Sequence, residues 1–406
     1  MDAPLHPTNR IAPWVWSVVV VLVICQITLC FAAAKKSLHG DVDFRAFYAA
    51  GEIVRSGHGA RLYEYEYQQQ VQAAVVGPRD AALPFLYPAF AALPFVPLSV
   101  VSYRVAFFVF LAINLGLLVW VAVLLRPWLP CFRDSGWGTL TAFFGCLFGV
   151  SIALMQGQIS FALLVAYCGA WVLMQKERFF LAGLCLSVGL MKFQIAIPVV
   201  LLFLVWRQWR VVVGFIVGGL GFAAISLAMI GRAGAATYVR SMAGMTKQTA
   251  LDPAAAKAHY GMFPVDMPNL HGLTFGLSHG AGWGLALNIV LCCAVLVFAA
   301  RQKASLLVAL PAAMLVSYHM QPHDLTLLLL PLSFAVGGLM QRMQERRDGG
   351  AGRMGADDKV LVAALLLLVL PLGFAVMAAG MNYVVSLAVG AVMVHAARME
   401  RAGMLV

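Results

Sequence analysis

Acidic side chains are scarce in this sequence, and so is charge in general. Of 406 residues, 17 are Asp or Glu and 28 are Lys or Arg, so charged residues make up 11%. Soluble domains ordinarily carry about a quarter charged residues, and the deficit excludes that class. The net charge of +11 does not indicate nucleic-acid binding, because most basic residues lie at the edges of apolar segments, where they anchor membrane spans.

The cysteines form no paired framework. Seven of the eight lie inside apolar segments, and Cys131 lies in a short basic loop, so neither a disulfide scaffold nor a metal site is predicted. The short basic loops also contain no glycine-rich phosphate loop. The alternating pattern of a membrane β-barrel is missing, which excludes that fold.

Long apolar runs are what the sequence has in abundance, with 62% hydrophobic residues. Runs of roughly 17–25 residues cross a bilayer as helices, so we predict an all-α polytopic membrane protein forming one integral membrane domain over residues 1–406. The prediction is about twelve transmembrane helices, with ten to thirteen as the range, at approximately 12–34, 103–125, 137–155, 158–175, 179–191, 194–206, 211–230, 283–300, 304–318, 325–341, 360–378 and 382–397. The first run exceeds the roughly 7–15 residues of a signal-peptide core, and we expect a retained anchor.

The distribution of basic residues predicts the orientation. With the N-terminus inside, the inner segments hold 16 of the 28 Lys and Arg residues, as the positive-inside rule requires. Both termini are then cytoplasmic. Two long outer loops, 35–102 and 231–282, would cover an active site, and residues 342–359 read as a flexible inner linker.

Two carboxylates, Asp41 and Asp43, follow the first span directly in the segment "GDVDFRAFYAAGEIVRSG". The spacing of Phe44, Phe47 and Tyr48 predicts a short helix over about 43–55, lying on the membrane surface with one apolar face. One Asp fits the helix N-cap. Because side chains two positions apart on a helix point about 200° apart, the two carboxylates are not expected to share a proton. The alternative is a single catalytic carboxylate.

Further polar residues interrupt apolar stretches on the same outer side. The proline-rich "LPFLYPAFAALPFVPL" predicts irregular backbone that forms either an interfacial loop or a cavity wall. "MQGQIS" reads as a turn or as part of a site. In "GLMKFQIAIP", Lys192 interrupts an apolar run and reads either as a snorkelling side chain or as a site for an anion.

Two later outer segments carry histidines. "FPVDMPNLHGLTFGL" contains Asn269 and His271, and "SYHMQPHDLTLLLLPL" contains His319, His323 and Asp324. The spacing of the second group, with an intervening proline, is a weak metal-ligand pattern, and a phosphate or hydroxyl partner suits these histidines better. A site at the outer membrane–water boundary explains why all these segments lie on one side.

In this order the segments resemble glycosyltransferase family 87, whose members use polyprenol-phosphate sugars and have the GT-C fold. The resemblance covers about residues 40–340 and rests on "DVDFRAFYAAGEIVRSG", "RLYEYEY", "YPAFAALPFVPL", "GQIS", "LMKFQ", "PNLHG" and "HDLTLLLLPL". It implies an α-mannosyltransferase-like enzyme with a GT-C-like helical bundle. The sequence departs from the family pattern at Ala89, where Tyr-Pro-Pro is usual, and at Phe193, where Lys-Pro is usual.

The resemblance implies Asp43 as the general base, with Asp41 as the reserve candidate. The residues expected to bind the donor phosphate or substrate are Lys192, His271, Asn269, His323, Asp324, His319, Arg45, Tyr87 and Gln158. One carboxylate would accept the acceptor proton and cationic or N–H groups would stabilise the leaving phosphate, so no metal or other cofactor is expected.

The expected partners are a polyprenyl-phosphate sugar, a glycan or glycolipid acceptor and membrane lipids, without nucleic acid. The expected location is the bacterial inner (plasma) membrane with an extracytoplasmic active site. Two alternatives remain, namely a transporter or flippase of lipid-linked sugars and a non-catalytic GT-C-like subunit. A transporter would be expected to show broken helices and paired half-repeats, which the sequence lacks.

Overall fold

A computed structural model describes residues 13–133, 136–251, 263–348, 354–369 and 371–402. Within these ranges the fold is helical and contains no β-strand beyond an isolated bridge between Leu147 and Val369. The α-helices are, in chain order, α1 Pro13–His39, α2 Phe44–Arg55, α3 Tyr65–Val76, α4 Tyr103–Leu125, α5 Pro130–Arg133, α6 Trp137–Gly145, α7 Phe148–Gln156, α8 Ser160–Gln175, α9 Phe179–Ser187, α10 Phe193–Val205, α11 Trp209–Leu251, α12 Leu270–Ser278, α13 Trp283–Ala300, α14 Leu306–Val316, α15 Leu329–Asp348, α16 Ala356–Leu368, α17 Leu372–Ala378 and α18 Val385–Arg401.

Short 3-10 helices join several of these elements. They are Gly59–Arg61, Ala89–Phe95, Leu98–Val100, Arg126–Trp128, Val188–Lys192, Pro264–Asp266, Pro322–Leu328 and Asn382–Val384. The proline-rich segment thus forms irregular backbone followed by 3-10 turns. Such tight turns inside an apolar chain bring polar side chains to defined points between longer helices.

Seven helical stretches in the described part of the chain are long and apolar enough to cross a membrane. They are Trp16–Arg55, Tyr103–Trp128, Phe179–Val205, Trp209–Gly244, Trp283–Ala300, Pro322–Met343 and Asn382–Arg401. The predicted all-α membrane class is confirmed, while the number of about twelve spans stays a prediction. The chain divides differently in places: the predicted span 137–155 is two helices, α6 and α7, and the predicted spans 179–191 and 194–206 fall in one stretch.

The predicted inner linker and second outer loop are more helical than expected. Helix α15 continues through residue 348 and α16 begins at residue 356, and residues 349–353 of the linker lie outside the described residues. The Asp358 carboxylate forms ion pairs with Arg342 and Arg346, each at 3.0 Å, and these connect α15 to α16. In the second loop, α11 continues to residue 251 with a kink at Gly231, where φ is +63°, and residues 252–262 are outside the described part.

Helix α2 is enclosed by protein, which differs from the membrane-surface helix expected from its sequence. Nine of its twelve residues are buried. The Phe44 ring packs against Phe107 and Phe110 on α4, with centroids 5.4 Å apart in each pair, and the Phe47 ring stacks on Phe95 at 4.9 Å. Aromatic packing on several sides fixes the helix, and with it the start of the helix at Asp43.

Helices α9 and α11 approach each other closely because glycines face across their contact. A Cβ atom on Gly183 would overlap the carbonyl of Val211, and one on Gly214 would overlap that of Phe180. Small residues of this kind allow close backbone contact between membrane helices. This contact holds the 3-10 helix Val188–Lys192, which continues directly from α9, in place.

Candidate active site

A cavity of about 450 Å³ lies where the first long loop, the 3-10 turns and the C-terminal helices meet. The side chains of Leu83, Pro84 and Leu86 form part of its wall, as the cavity-wall interpretation of the proline-rich segment requires. Its polar lining residues are Asp43, Tyr87, Gln156, Gln158, Lys192, Gln194, Asp266, Tyr318, His319, Gln321, His323 and Asn382. Six of the residues nominated from sequence therefore share one cavity.

Asp43 stands at the N-cap position of α2, yet its carboxylate makes no capping bond to that helix. Instead, Gln158 Nε2 donates a hydrogen bond to Asp43 Oδ2 at 2.5 Å. The backbone N–H of Asp43 donates to Gln156 Oε1 at 3.1 Å. The sequence "MQGQIS" therefore holds Asp43 from two sides, with its carboxylate directed into the cavity rather than onto the helix end.

Gln156 and Gln158 reach the same residue because the backbone reverses between them. Gly157 adopts a left-handed conformation with φ of +60°, which glycine adopts without steric cost. A Cβ atom there would also lie within 2.7 Å of the Phe44 side chain. The glycine is thus required both by its conformation and by close contact with α2.

Tyr87 extends the hydrogen-bonded chain. Its hydroxyl donates to Gln158 Oε1 at 3.4 Å, which leaves the Gln158 amide nitrogen directed at Asp43. Burial and the charges of Asp324 and Asp43 raise the pKa of Tyr87 well above its ordinary value, so the phenol keeps its proton. Tyr87, Gln158 and Asp43 therefore form a chain of two hydrogen bonds that ends on the carboxylate.

Lys192 lies in a buried ion pair. Only 3% of Lys192 is exposed and Asp324 is fully buried; the ammonium donates to Asp324 Oδ1. Lys192 Nζ also lies 2.8 Å from His323 Nε2. Because an ammonium group has no acceptor, Nε2 accepts this bond and the proton of the neutral imidazole lies on Nδ1.

Local turns produce this arrangement. Lys192 ends one 3-10 helix, while His323 and Asp324 lie in the first turn of another, Pro322–Leu328. The backbone N–H of Gln321 donates to Asp324 Oδ2 at 3.0 Å, and Thr326 Oγ1 donates to the Gly149 carbonyl of α7 at 3.1 Å. With one oxygen bound to the backbone, Asp324 fixes the position of the Lys192 ammonium without lining the cavity itself.

His319 lines the same cavity, and its Nδ1 atom is buried without a hydrogen-bond partner in the protein. Burial, followed by the charge of Lys192, lowers the pKa of His319 to about 4. The imidazole is therefore neutral at pH 7, and its Nδ1 is left without a partner in the protein.

Two of the predicted residues near α2 lie outside the cavity. Asp41 is exposed and pairs with Arg79 Nε at 3.1 Å, so the reserve candidate belongs to a surface ion pair. Arg45 is buried, but its Nη2 donates to the Ala81 carbonyl at 3.2 Å. Asp41 and Asp43 thus have different partners, Arg79 for Asp41 and Gln158 for Asp43, as the expectation that they do not share a proton requires.

Asn269 and His271 are also outside the cavity lining. Asn269 is the N-cap of α12: its Oδ1 accepts from the Gly272 N–H at 2.9 Å, and its Nδ2 donates to the Ser317 carbonyl at 2.6 Å. His271 Nδ1 lies 3.0 Å from the Tyr318 carbonyl. Both residues join α12 to the segment that carries His319, and so they shape the site rather than line it.

Six polar lining residues were not predicted from the sequence, namely Gln156, Gln194, Asp266, Tyr318, Gln321 and Asn382. Gln156 could have been predicted from the sequence, since it and Gln158 flank Gly157 in "MQGQIS". Asn382 lies in "MAAGMNYVV" between the last two apolar segments, where a lone Asn in a short loop gives no indication of a site. Among the described residues, no group of three His, Cys, Asp or Glu side chains has the arrangement of a metal site.

An apolar groove of about 360 Å³ adjoins the cavity and shares Phe193 and Met242 with it. Its floor includes the stacked rings of Phe90 and Phe222, whose centroids are 4.3 Å apart. The remaining lining is Pro88, Leu190, Gly219, Ala223, Ser226, Tyr238 and Val239. A polar chamber continuous with an apolar groove is suited to a molecule with one charged end and one hydrocarbon end.

The fold and the site together define an integral membrane protein with an internal chamber lined by charged residues. The family model of glycosyltransferase family 87 matches residues 85–331, more than half of the chain. The chain belongs to this family and is, by family, a membrane glycosyltransferase, which confirms the resemblance found in the sequence. A search of curated proteins and a search of solved structures gave no significant match.

Proposed function

We propose that this protein transfers a sugar from a polyprenyl-phosphate donor to a hydroxyl group of a glycan or glycolipid acceptor. One observation carries the proposal: Asp43 lines the same cavity as Lys192, His319 and His323. A carboxylate and a cluster of phosphate-binding groups in one chamber are the two components that this reaction needs.

In the proposed reaction, the acceptor oxygen attacks the anomeric carbon while its proton passes to the Asp43 carboxylate. The bond between the anomeric carbon and the phosphate oxygen breaks, and polyprenyl phosphate leaves. The donor is a phosphodiester with one negative charge, and the product phosphate carries up to two. Lys192, with N–H groups of His319 and His323, would stabilise the charge that develops on the leaving phosphate.

We assign the role of general base to Asp43 rather than Asp41 because the Asp43 carboxylate is held in position in the cavity. Gln158 donates to one of its oxygens and directs the carboxylate into the chamber. Asp41, by contrast, pairs with Arg79 at the exposed surface. No step in this scheme requires a resident metal.

The apolar groove supports the choice of a lipid-linked donor. Its walls are almost entirely apolar, and it meets the chamber at Phe193, the residue next to Lys192. A prenyl chain in this groove would bring its phosphate end to Lys192. The extracytoplasmic face and the cytoplasmic termini follow from the basic residues of the short loops, and the plasma membrane of a bacterium is the proposed location.

The test uses the purified full chain in liposomes, supplied with a panel of polyprenyl-phosphate sugars and, in parallel, with nucleotide sugars. We expect transfer or slow hydrolysis with at least one lipid-linked donor and none with nucleotide sugars. Turnover with nucleotide sugars alone, or movement of the lipid-linked sugar across the bilayer without cleavage, would overturn the proposal.

A further inference from the structure

The cavity wall extends well beyond the part of the chain that the family model matches. Met377, in α17, and Asn382, in the following 3-10 helix, both line the cavity, although the family match ends at residue 331. The chamber that holds Asp43 and Lys192 is therefore completed by the C-terminal helices. No step in the proposed reaction uses either of these residues.

Asn382 is a buried polar side chain with an unmet hydrogen-bonding group. Only 4% of the residue is exposed, and its Oδ1 atom is buried without a hydrogen-bond partner in the protein. Buried polar atoms in folded proteins are nearly always hydrogen-bonded. Because Asn382 lines the cavity and its amide oxygen has no partner in the protein, the residue is suited to a partner that enters the cavity.

The turn that carries Asn382 is held in position before any ligand arrives. Gly380 supplies the reversal after α17 with φ of +68°. The Tyr383 ring packs on Gly276 of α12, where an added Cβ would come within 3.0 Å of the ring. Ser386 Oγ donates to the Tyr383 carbonyl at 2.6 Å. Helix α12, capped by Asn269, thus supports the Asn382 turn from the second outer loop.

The chemistry of the Asn382 amide oxygen limits the groups that it can bind. An amide oxygen accepts hydrogen bonds, so it is not suited to the oxygens of an ionised phosphate, which are acceptors too. A prenyl chain carries no hydroxyl or amide hydrogen. Of the chemical groups that the proposed reaction brings to the chamber, the hydroxyls of a carbohydrate are the ones that donate to such an oxygen.

We propose that Asn382 binds a carbohydrate hydroxyl and thereby contributes to the choice of sugar. This inference rests on the proposed function and adds a specificity residue to it. The hydroxyl belongs either to the glycosyl group being transferred or to the acceptor sugar, and the chemistry of recognition is the same for both. Asn382 acts by positioning the sugar, while Asp43 carries out the proton transfer.

The experiment compares deoxy analogues of the donor sugar and of the acceptor sugar on the full-length protein in liposomes. A single neutral hydrogen bond corresponds to a loss of about ten-fold in kcat/KM. We expect the unaltered protein to lose about that factor with one deoxy analogue. The Asn382→Ala variant should lose the same factor with the natural sugar and nothing further with that analogue. A donor analogue that behaves in this way assigns the hydroxyl to the donor, and an acceptor analogue assigns it to the acceptor.

Asn288→Ala is the matched control. Asn288 lies on α13, where its Oδ1 accepts from Cys292 Sγ at 3.6 Å, and it does not line the cavity. This variant should keep the full penalty for the deoxy analogue. If Asn382→Ala unfolds, Asn382→Ser supplies the same comparison with a shorter polar side chain.

Three results would overturn the inference while leaving the proposed function intact. They are a folded Asn382→Ala variant with unchanged kcat/KM, a variant that keeps the full penalty for every deoxy analogue, and an unaltered protein that discriminates against none of them. Lack of turnover with every lipid-linked sugar would instead overturn the proposed function, and the inference with it.

Discussion

Gln158 Nε2 lies 2.5 Å from Asp43 Oδ2, although the two residues are 115 positions apart in the chain. The same glutamine accepts from the Tyr87 hydroxyl through its other amide atom. One side chain therefore connects the first loop, the proline-rich segment and the turn between α7 and α8. The orientation of the proposed base depends on this amide.

Replacing Gln158 with Glu is expected to shift the pH dependence of transfer. A second carboxylate beside Asp43 repels its negative charge and disfavours its ionised form. Because the base works in its ionised form, activity should be lost at a higher pH, by about one unit, on the acid side of the kcat/KM profile. The Gln158→Asn variant is the uncharged control and should lower kcat without that shift. An acid limb that does not move in Gln158→Glu contradicts the assigned contact.

Replacing Asp43 with Asn removes the proposed base while keeping its size. General-base catalysis typically contributes about 10²–10⁴-fold, so kcat should fall by at least about a hundred-fold. Asp41→Asn is the natural control, since Asp41 is exposed and lies outside the cavity. Radiolabelled transfer from the donor identified above measures both variants. Equal turnover in Asp43→Asn and the unaltered protein removes Asp43 from the mechanism.

Removing one partner of the buried ion pair between Lys192 and Asp324 is expected to destabilise the folded protein. Lys192→Met leaves a fully buried carboxylate without its cation, and breaking a buried pair on one side typically costs about 3–5 kcal/mol. The double variant Lys192→Met/Asp324→Leu removes both charges and should recover most of that loss. Thermal unfolding in detergent ranks the three proteins. If the double variant is no more stable than the single one, the pair is not coupled as described.

The same lysine is expected to matter for donor binding. Both Lys192 variants should bind the lipid-linked donor at least about ten-fold more weakly, because a charge-assisted hydrogen bond to phosphate is lost. Acceptor affinity, measured at saturating donor, should change little. An effect confined to the acceptor would refute the phosphate role of Lys192.

Because His319 binds a proton more readily in the unfolded chain, it should lower the folding stability in mildly acidic solution. Its pKa is lowered to about 4 in the folded protein, against about 6.5 in an unfolded chain. Between these values the unfolded chain binds more protons, so folding stability decreases as the pH falls from about 6.5 towards 4. The Tm measured from pH 7.5 to 4.5 should drop less steeply in His319→Gln. An identical pH slope in both proteins would show that this imidazole does not titrate on unfolding.

Metal chelation is expected to leave transfer unchanged. In the proposed scheme, Lys192 and the histidine N–H groups meet the phosphate, so prior treatment with a chelator should alter kcat by less than about two-fold. Loss of activity that a divalent cation restores would contradict this prediction and assign the phosphate to a metal.

The sequence predicted the helical membrane class and the segments that form the chamber, because each depends on local composition. Apolar runs identify helices wherever they pack, and polar interruptions on one side of the membrane tend to meet. Asp43, Lys192 and His323 were expected to share one site, and all three line the same cavity. The number of about twelve spans stays a prediction, and 3-10 turns such as Val188–Lys192 join some of the apolar runs into single stretches.

The remaining details depend on contacts between distant parts of the chain. Asp43 lines the chamber in contact with Gln156 and Gln158, which are more than a hundred positions away, while Asp41 pairs with Arg79. The pattern around Asn269 fits an N-cap as well as a binding residue, and the hydrogen bond to Gly272 decides for the N-cap. Asn382 reaches the chamber through the fold of α17 and α18, which no local pattern predicts.

The lining of the chamber begins near one end of the chain, at Asp43, and closes near the other, at Asn382. During synthesis, every intermediate that lacks the last pair of apolar segments lacks part of this wall. A ribosome-bound or prematurely terminated chain without α17 and α18 thus presents an incomplete cavity wall.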